Sequence, residues 1–434
     1  MHARLEKLVP RSRRSQLAVA LVAAVAGGAG GAVLVAGGGP EPSADSAPGV
    51  AGSSPGVAAG SRRARGERRT ASPARRASTL ARELTLERKV AQLFALRFAG
   101  DGAGAPVLET LRRRDLGGLV VERENAPGPG ALRALTAAAR DAAQSSGHVR
   151  PLLLAPQEGG RFNAIAGIGP ETEPALLAAP SQGAVQARRA APRLSAAGID
   201  GVLAPLADIG PPGSRALGER AFSDDAQQTA RFVEGVVEAY RDQDVISAAA
   251  HFPGLGSAAQ DTAAGPAQVG LSEDELRRTD LVPFRAAIAA GVPAVVLSHG
   301  LYVLDDFVTP ASLSRSVATG LLRDDLGFEG VAITDDLASP AVASLYAAPE
   351  AAVMAVRAGA DMVQLSGSPE LQDAAYGAVL SAALRGQISA RRLDEAVGRI
   401  LLMKARYGLL GSARPAKRDD AARSAGDPGV SLLP

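Results

Sequence analysis

The sequence predicts an α/β fold, a (β/α)8 TIM-type barrel, and three observations predict it. Eight short apolar runs alternate with segments of helical periodicity. The runs are nearly continuous Val, Leu and Ala instead of alternating with polar residues, as strands covered on both faces are. The polar residues gather just beyond the C-terminal ends of those runs, where a barrel carries its chemistry. In order, the expected strands are 93–98, 117–122, 151–157, 201–208, 245–252, 294–299, 331–335 and 362–365. Amphipathic stretches such as Gln227–Tyr240 and Leu276–Ala290 separate them. One extra helix is expected before the first strand, and long helices near the C-terminus. A doubly wound open sheet is the alternative, because periodicity does not distinguish a closed sheet from an open one.

The barrel is expected over residues 79–411, with other kinds of segment on either side. Residues 1–16 are basic (Arg4, Lys7, Arg11, Arg13, Arg14) and residues 17–39 are uncharged, rich in Ala, Val, Leu and Gly. Twenty-three residues of helix reach about 34 Å, enough to cross a hydrocarbon core of about 30 Å. A positive flank before the apolar run keeps the N-terminus cytoplasmic and exports the remainder. The segment therefore reads as a signal-anchor leaving the folded domain outside a cell membrane, or as a cleaved signal peptide of a secreted protein. Residues 40–78 are Pro, Ser, Gly and Ala followed by an Arg run, a composition that buries no core and reads as a disordered linker. Residues 412–434 read as a disordered tail.

Composition excludes several classes of function. The chain of 434 residues has no Cys, so no disulfide framework, thiolate metal site or cysteine nucleophile is available. Four His scattered at 2, 148, 251 and 299 do not suggest a metal site. Aromatic residues are 3% and Trp is absent, which disfavours base-stacking platforms. Residues 1–78 carry 12 Lys+Arg against 4 Asp+Glu, a net +8, so the chain's total of +2 leaves −6 on residues 79–434. A mildly acidic folded part argues against nucleic acid as its partner.

The strand ends carry Gln157-Glu158-Gly159-Gly160-Arg161, Asp208, His251 with Asp261 and Thr262 further along, Ser298-His299, and Thr334-Asp335-Asp336. Gly218-Glu219-Arg220 lies in the loop after the fourth strand. Any one of these could be a helix cap or a rim residue, but several polar strand ends together describe a site. Carboxylates without metal ligands or a phosphate loop suit hydrolysis in which an ionised Asp attacks a sugar and a second group protonates the leaving oxygen. Adjacent strand residues face opposite ways, so one of Asp335 and Asp336 points into the mouth; composition does not choose between them.

Four motifs, His251 to Gly254, Gln157 to Arg161, Gly327 to Asp336 and Gly386 to Ala396, resemble glycoside hydrolase family 3, in particular its single-barrel bacterial β-N-acetylglucosaminidases (β-hexosaminidases). The likeness runs from about Leu84 to Leu410. It implies a retaining enzyme that removes terminal β-linked N-acetylhexosamine, often from peptidoglycan fragments, without a metal or organic cofactor. By position, Asp335 matches the nucleophile and Asp336 its non-nucleophilic neighbour. Arg220 resembles the sugar-binding Arg and His251 the His of the Lys-His-Phe-Pro-Gly motif. Asp261 opens an Asp-Ser-His triplet whose His is the acid/base. With these, Glu158, Arg161, Asp208 and His299 are the expected substrate-binding side chains.

The departures fall in the same site. The motif Lys is Ala250, the Asp before Gln-Glu-Gly-Gly is Pro156, the second loop His is Leu255, and the triplet His is Ala263. Alanine has no proton to donate. The expectation is thus a hexosaminidase impaired by loss of its acid/base His. The alternative is an inactive barrel that binds glycans or a protein at the cell surface, and a broader β-glucosidase is a weaker third reading.

Overall fold

The computed structural model describes residues 72–410 apart from position 212. The expected membrane segment, the linker up to residue 71 and the tail from 411 lie outside the described residues. No helix among the described residues is long and apolar enough to cross a membrane.

Eight parallel strands close into a barrel: β1 (Phe94–Arg97), β2 (Gly118–Val120), β3 (Leu152–Ala155), β4 (Gly201–Val202), β5 (Ile246–Phe252), β6 (Ala294–Leu297), β7 (Val331–Asp336) and β8 (Met362–Leu365). Each pairs with its sequence neighbours, and β1 returns to β8 through Phe94↔Val363. This closure excludes the doubly wound alternative. The strands are buried along nearly their whole length, which is why their sequences show no polar alternation. The ends of β1 and β7 break this pattern, where Arg97 and Asp335 are partly exposed at the mouth, and His251, near the end of β5, is a buried polar residue that lines the cleft.

Among the described residues two helices, not one, precede β1: α1 (Pro73–Glu83) and α2 (Leu86–Gln92). Ser72 caps α1 through the N–H of Arg75, and Pro73 occupies its first position, where no N–H is required. The helix thus begins inside the stretch read as linker. Its Arg-rich composition hides a fold signal, because only one face packs, against the C-terminal helix Ala390–Arg406. The expected helix 276–290 is two helices, Glu273–Arg278 and Leu281–Ala289. Pro283 has no N–H to offer the carbonyl of Thr279, so the helix breaks there.

Candidate active site

The C-terminal ends of the strands surround a cleft of about 570 Å³. Asp335, near the end of β7, borders it with its side chain 24% exposed. One carboxylate oxygen, Oδ1, accepts the N–H of Asp336 at 2.8 Å and lies 3.8 Å from Arg97 Nη2; the other, Oδ2, lies 4.0 Å from His251 Nε2. Burial alone would raise the pKa of Asp335, but His251, Arg97 and the Asp336 N–H outweigh it and hold the carboxyl at about 2. Asp335 is therefore ionised throughout the physiological range. Asp336 also borders the cleft, yet its Oδ1 accepts the N–H groups of Ala338 and Ser366 at 3.0 and 2.9 Å. It pins the loops after β7 and β8, leaving Asp335 as the carboxylate free to react.

His251 is held by Asp208, which is fully buried. The Asp208 carboxylate accepts from His251 Nδ1 at 2.8 Å, from the His251 N–H, and from the Leu255 N–H at 2.7 Å. Burial disfavours the imidazolium, but the Asp208 charge and hydrogen bond prevail and raise the His251 pKa. Nε2 is left facing Asp335. The local chain needs glycine to do this. A Cβ on Gly254 would lie 2.6 Å from Asp280 Oδ1, and one on Gly256 would lie 1.5 Å from the Ile209 carbonyl oxygen.

Arg220 and Glu158 form a two-pronged ion pair, Nε to Oε2 at 2.7 Å and Nη2 to Oε1 at 2.6 Å. Arg220 Nη1 lies 3.9 Å from Asp261 Oδ2, and all three residues line the cleft. Asp261 Oδ1 accepts the N–H of Ala263 at 2.9 Å, which turns the loop so that Ala263 is exposed in the cleft wall. Position 263 thus presents a methyl group to the cleft.

Of the expected site residues, the structure brings Asp335, Asp261, Arg220, His251 and Glu158 together at one cleft. Three others act elsewhere. Asp208 spends its oxygens on His251 and its loop and has no exposure, so it positions His251 instead of meeting substrate. His299 is buried: Nε2 donates to the Asp336 carbonyl at 2.9 Å, and Nδ1 then accepts from Ser312 Oγ at 2.7 Å. A carbonyl only accepts, so Nε2 carries a proton, and burial, the largest influence, lowers the His299 pKa and favours the neutral ring with Nδ1 accepting. His299 holds the backbone beside Asp335. Arg161 leaves the mouth, stacks over Phe162 at 4.9 Å and pairs with Glu219 at 2.7 Å. Phe162, not Arg161, lines the cleft.

Arg97, Glu122 and Gln364 also line it and were not singled out from the sequence. The signal was available: Arg97 and Glu122 sit at the ends of the first two expected strands, the same place that marked Asp208 and His251. Among the described residues no group of three or more His, Asp or Glu side chains is placed to hold a metal ion.

Residues 85–403 match the sequence profile described as the glycosyl hydrolase family 3 N terminal domain. A protein named beta-hexosaminidase from Stenotrophomonas maltophilia is 35% identical over 292 residues, covering 65% of this chain and 85% of the relative. The structure of a glycoside hydrolase family 3 β-N-acetylglucosaminidase from a Paenibacillus species aligns with a TM-score of 0.73 at 34% identity, over 79% of this chain and 66% of that one. A β-N-acetylhexosaminidase from Beutenbergia cavernae aligns with a TM-score of 0.65 at 28% identity, over 73% of this chain and 98% of that one.

Proposed function

The chain belongs to glycoside hydrolase family 3, and from that premise we propose that it is a retaining hydrolase of terminal β-linked N-acetylhexosamine, slowed on natural glycosides by the lack of a proton donor at Ala263. The observation that carries this reading is the ionised Asp335 in a cleft beside His251 and Arg97. An ionised carboxylate with one oxygen facing open space is the nucleophile that a covalent glycosyl-enzyme route needs. Asp335 attacks the anomeric carbon, the bond to the leaving oxygen breaks, and water later releases the sugar. His251, fixed by Asp208, and Arg97 keep the attacking carboxylate charged.

The relatives' names support the amino-sugar substrate, with peptidoglycan fragments as the natural source we infer. The basic and apolar N-terminal sequence supports export with a retained membrane anchor; recovery of a chain that begins near Pro40 from culture medium would instead make it a secreted protein. A second reading, a barrel that binds glycan without turning it over, is favoured by the same Ala263.

Turnover of a nitrophenyl N-acetylglucosaminide, an unactivated N-acetylglucosamine disaccharide and a nitrophenyl glucoside separates these readings. A general acid contributes about 10²–10⁴-fold, most when the leaving group is poor. We expect slow cleavage of the first, almost none of the second and less still of the third. Asp335→Ala should abolish activity, and a fluorinated trapping sugar should label the peptide containing Asp335. Ala263→His should raise disaccharide turnover more than aryl turnover. Equal, fast cleavage of both amino-sugar substrates would mean another acid acts. Binding of the sugar with no labelling and no turnover would establish the glycan-binding reading.

A further inference from the structure

Two positions in the cleft wall, Pro156 and Ala250, offer no polar side-chain atom to a sugar. Across the mouth, the cleft holds a pair that takes up the opposite role. Arg97, at the end of β1, donates from Nη1 to Glu122 Oε1 at 2.6 Å and from Nη2 to Gln364 Oε1 at 3.2 Å. The same Nη2 is 3.8 Å from Asp335 Oδ1. We propose that the Arg97–Glu122 pair binds hydroxyl groups of the terminal sugar at the end remote from its anomeric carbon, and so determines which sugar this chain accepts. The inference rests on the reading of the cleft as a sugar site and names residues that serve it.

The argument is geometric. One guanidinium spans the gap between the nucleophile and Glu122. A pyranose with its anomeric carbon at Asp335 and its ring along Arg97 directs its far hydroxyls towards β2 and β3, where Glu122 and Pro156 lie. Of the other cleft carboxylates, Glu158 gives both oxygens to Arg220 and Asp336 holds two backbone N–H groups, while Asp261 holds the Ala263 N–H and lies 3.9 Å from Arg220, away from the Arg97 contacts. Glu122 is 28% exposed, and its carboxylate, with about four acceptor sites, has capacity beyond the bond from Arg97. Burial raises the Glu122 pKa despite Arg97, a desolvation cost that hydroxyl donors would relieve.

The test combines variants with deoxy sugars. Kd for N-acetylglucosamine and its 3-, 4- and 6-deoxy forms is measured by calorimetry, and KM and kcat on the nitrophenyl N-acetylglucosaminide, for wild type, Glu122→Gln and Arg97→Gln. Hydrogen bonds to a charged group predict a rise of about 10- to 100-fold in Kd and KM for Glu122→Gln, with a much smaller change in kcat. At least one deoxy sugar should bind wild type as weakly as the parent sugar binds the variant, and lose nothing further on the variant. Arg97→Gln reads out the same coupling if Glu122→Gln does not fold. Additive losses for all three deoxy sugars overturn the proposal while leaving the sugar site intact. A fall in kcat on Glu122→Ala restored by azide, with a glycosyl azide as product, also overturns it, because Glu122 would then be the acid/base. Wild type that neither binds nor cleaves the amino sugar removes the functional reading itself.

Discussion

Asp335, near the end of β7, and Asp208, in the loop after β4, are both carboxylates, and their surroundings give them different work. Asp335 keeps one oxygen towards the cleft, whereas Asp208 is sealed and saturated by His251 and the Leu255 N–H. The raised pKa of His251 depends on that partnership: burial pushes it down, and Asp208 more than reverses the push. Asp208→Asn keeps the shape and removes the charge, so the imidazolium should lose its proton at lower pH. We expect the alkaline limb of the kcat/KM profile to move to lower pH in this variant, with Asp335 still labelled by the trapping sugar. An unmoved limb would mean His251 does not govern it. The sequence marked both Asp residues as site members, because a strand end is visible in sequence. It could not show that one of them faces away from substrate, since that depends on a neighbouring strand.

At the scale of elements, the two rims of the barrel use carboxylates in opposite ways. At the N-terminal rim, buried Asp115, Asp200 and Asp361 stand just before β2, β4 and β8 and tie strands to helices. Asp361 is the most loaded: Arg323, Arg392 and Arg399 reach it at 2.7, 2.5 and 3.1 Å, and it accepts the Ala332 N–H at 3.0 Å. Removing one partner of a buried ion pair costs about 3–5 kcal/mol, because the remaining charges lose their compensation. Asp361→Asn should therefore lower the stability measured by urea unfolding by roughly that amount. At a temperature where the variant is folded, Asp335 should be labelled as in wild type, since the cleft is at the other rim. Seven strands were legible within a few residues because their apolar runs are continuous; the fourth, expected over 201–208, ends at Val202. The second helix before β1 and the split at Thr279–Asp280 were not, because one depends on packing and the other on a single missing N–H.

For the whole molecule, one buried carboxyl sets a pH dependence opposite to that of Asp335. Burial raises the Asp280 pKa from 3.8 to about 6 despite the hydrogen bond from Thr279, and its Oδ1 is buried without a hydrogen-bond partner. A folded pKa above the unfolded one means the folded state binds the proton more tightly. Asp280 therefore costs stability when pH is above about 6, and the cost disappears as pH falls towards the unfolded value near 4. Asp280→Asn should stabilise the protein at pH 8 by roughly 1–3 kcal/mol and change little at pH 4. Stabilisation that did not vary between those pH values would remove titration as the cause.

By itself the sequence determined the strand count, the parallel α/β class and the family, and through the family resemblance it pointed to Asp335 as the reacting carboxylate. Each of these is written in local pattern: buried runs, polar strand ends, and motifs a few residues long. It also determined that position 263 has no proton to give, which follows from residue type alone. Closure of the sheet was decided only in three dimensions, because β1 and β8 meet across more than 260 residues. So was the division of labour among the polar residues. His299 turned to backbone, Arg161 left the mouth, and Arg97 and Glu122 entered it. Which side of a strand end faces the cleft, and what already occupies its hydrogen-bonding atoms, depends on neighbours distant in sequence.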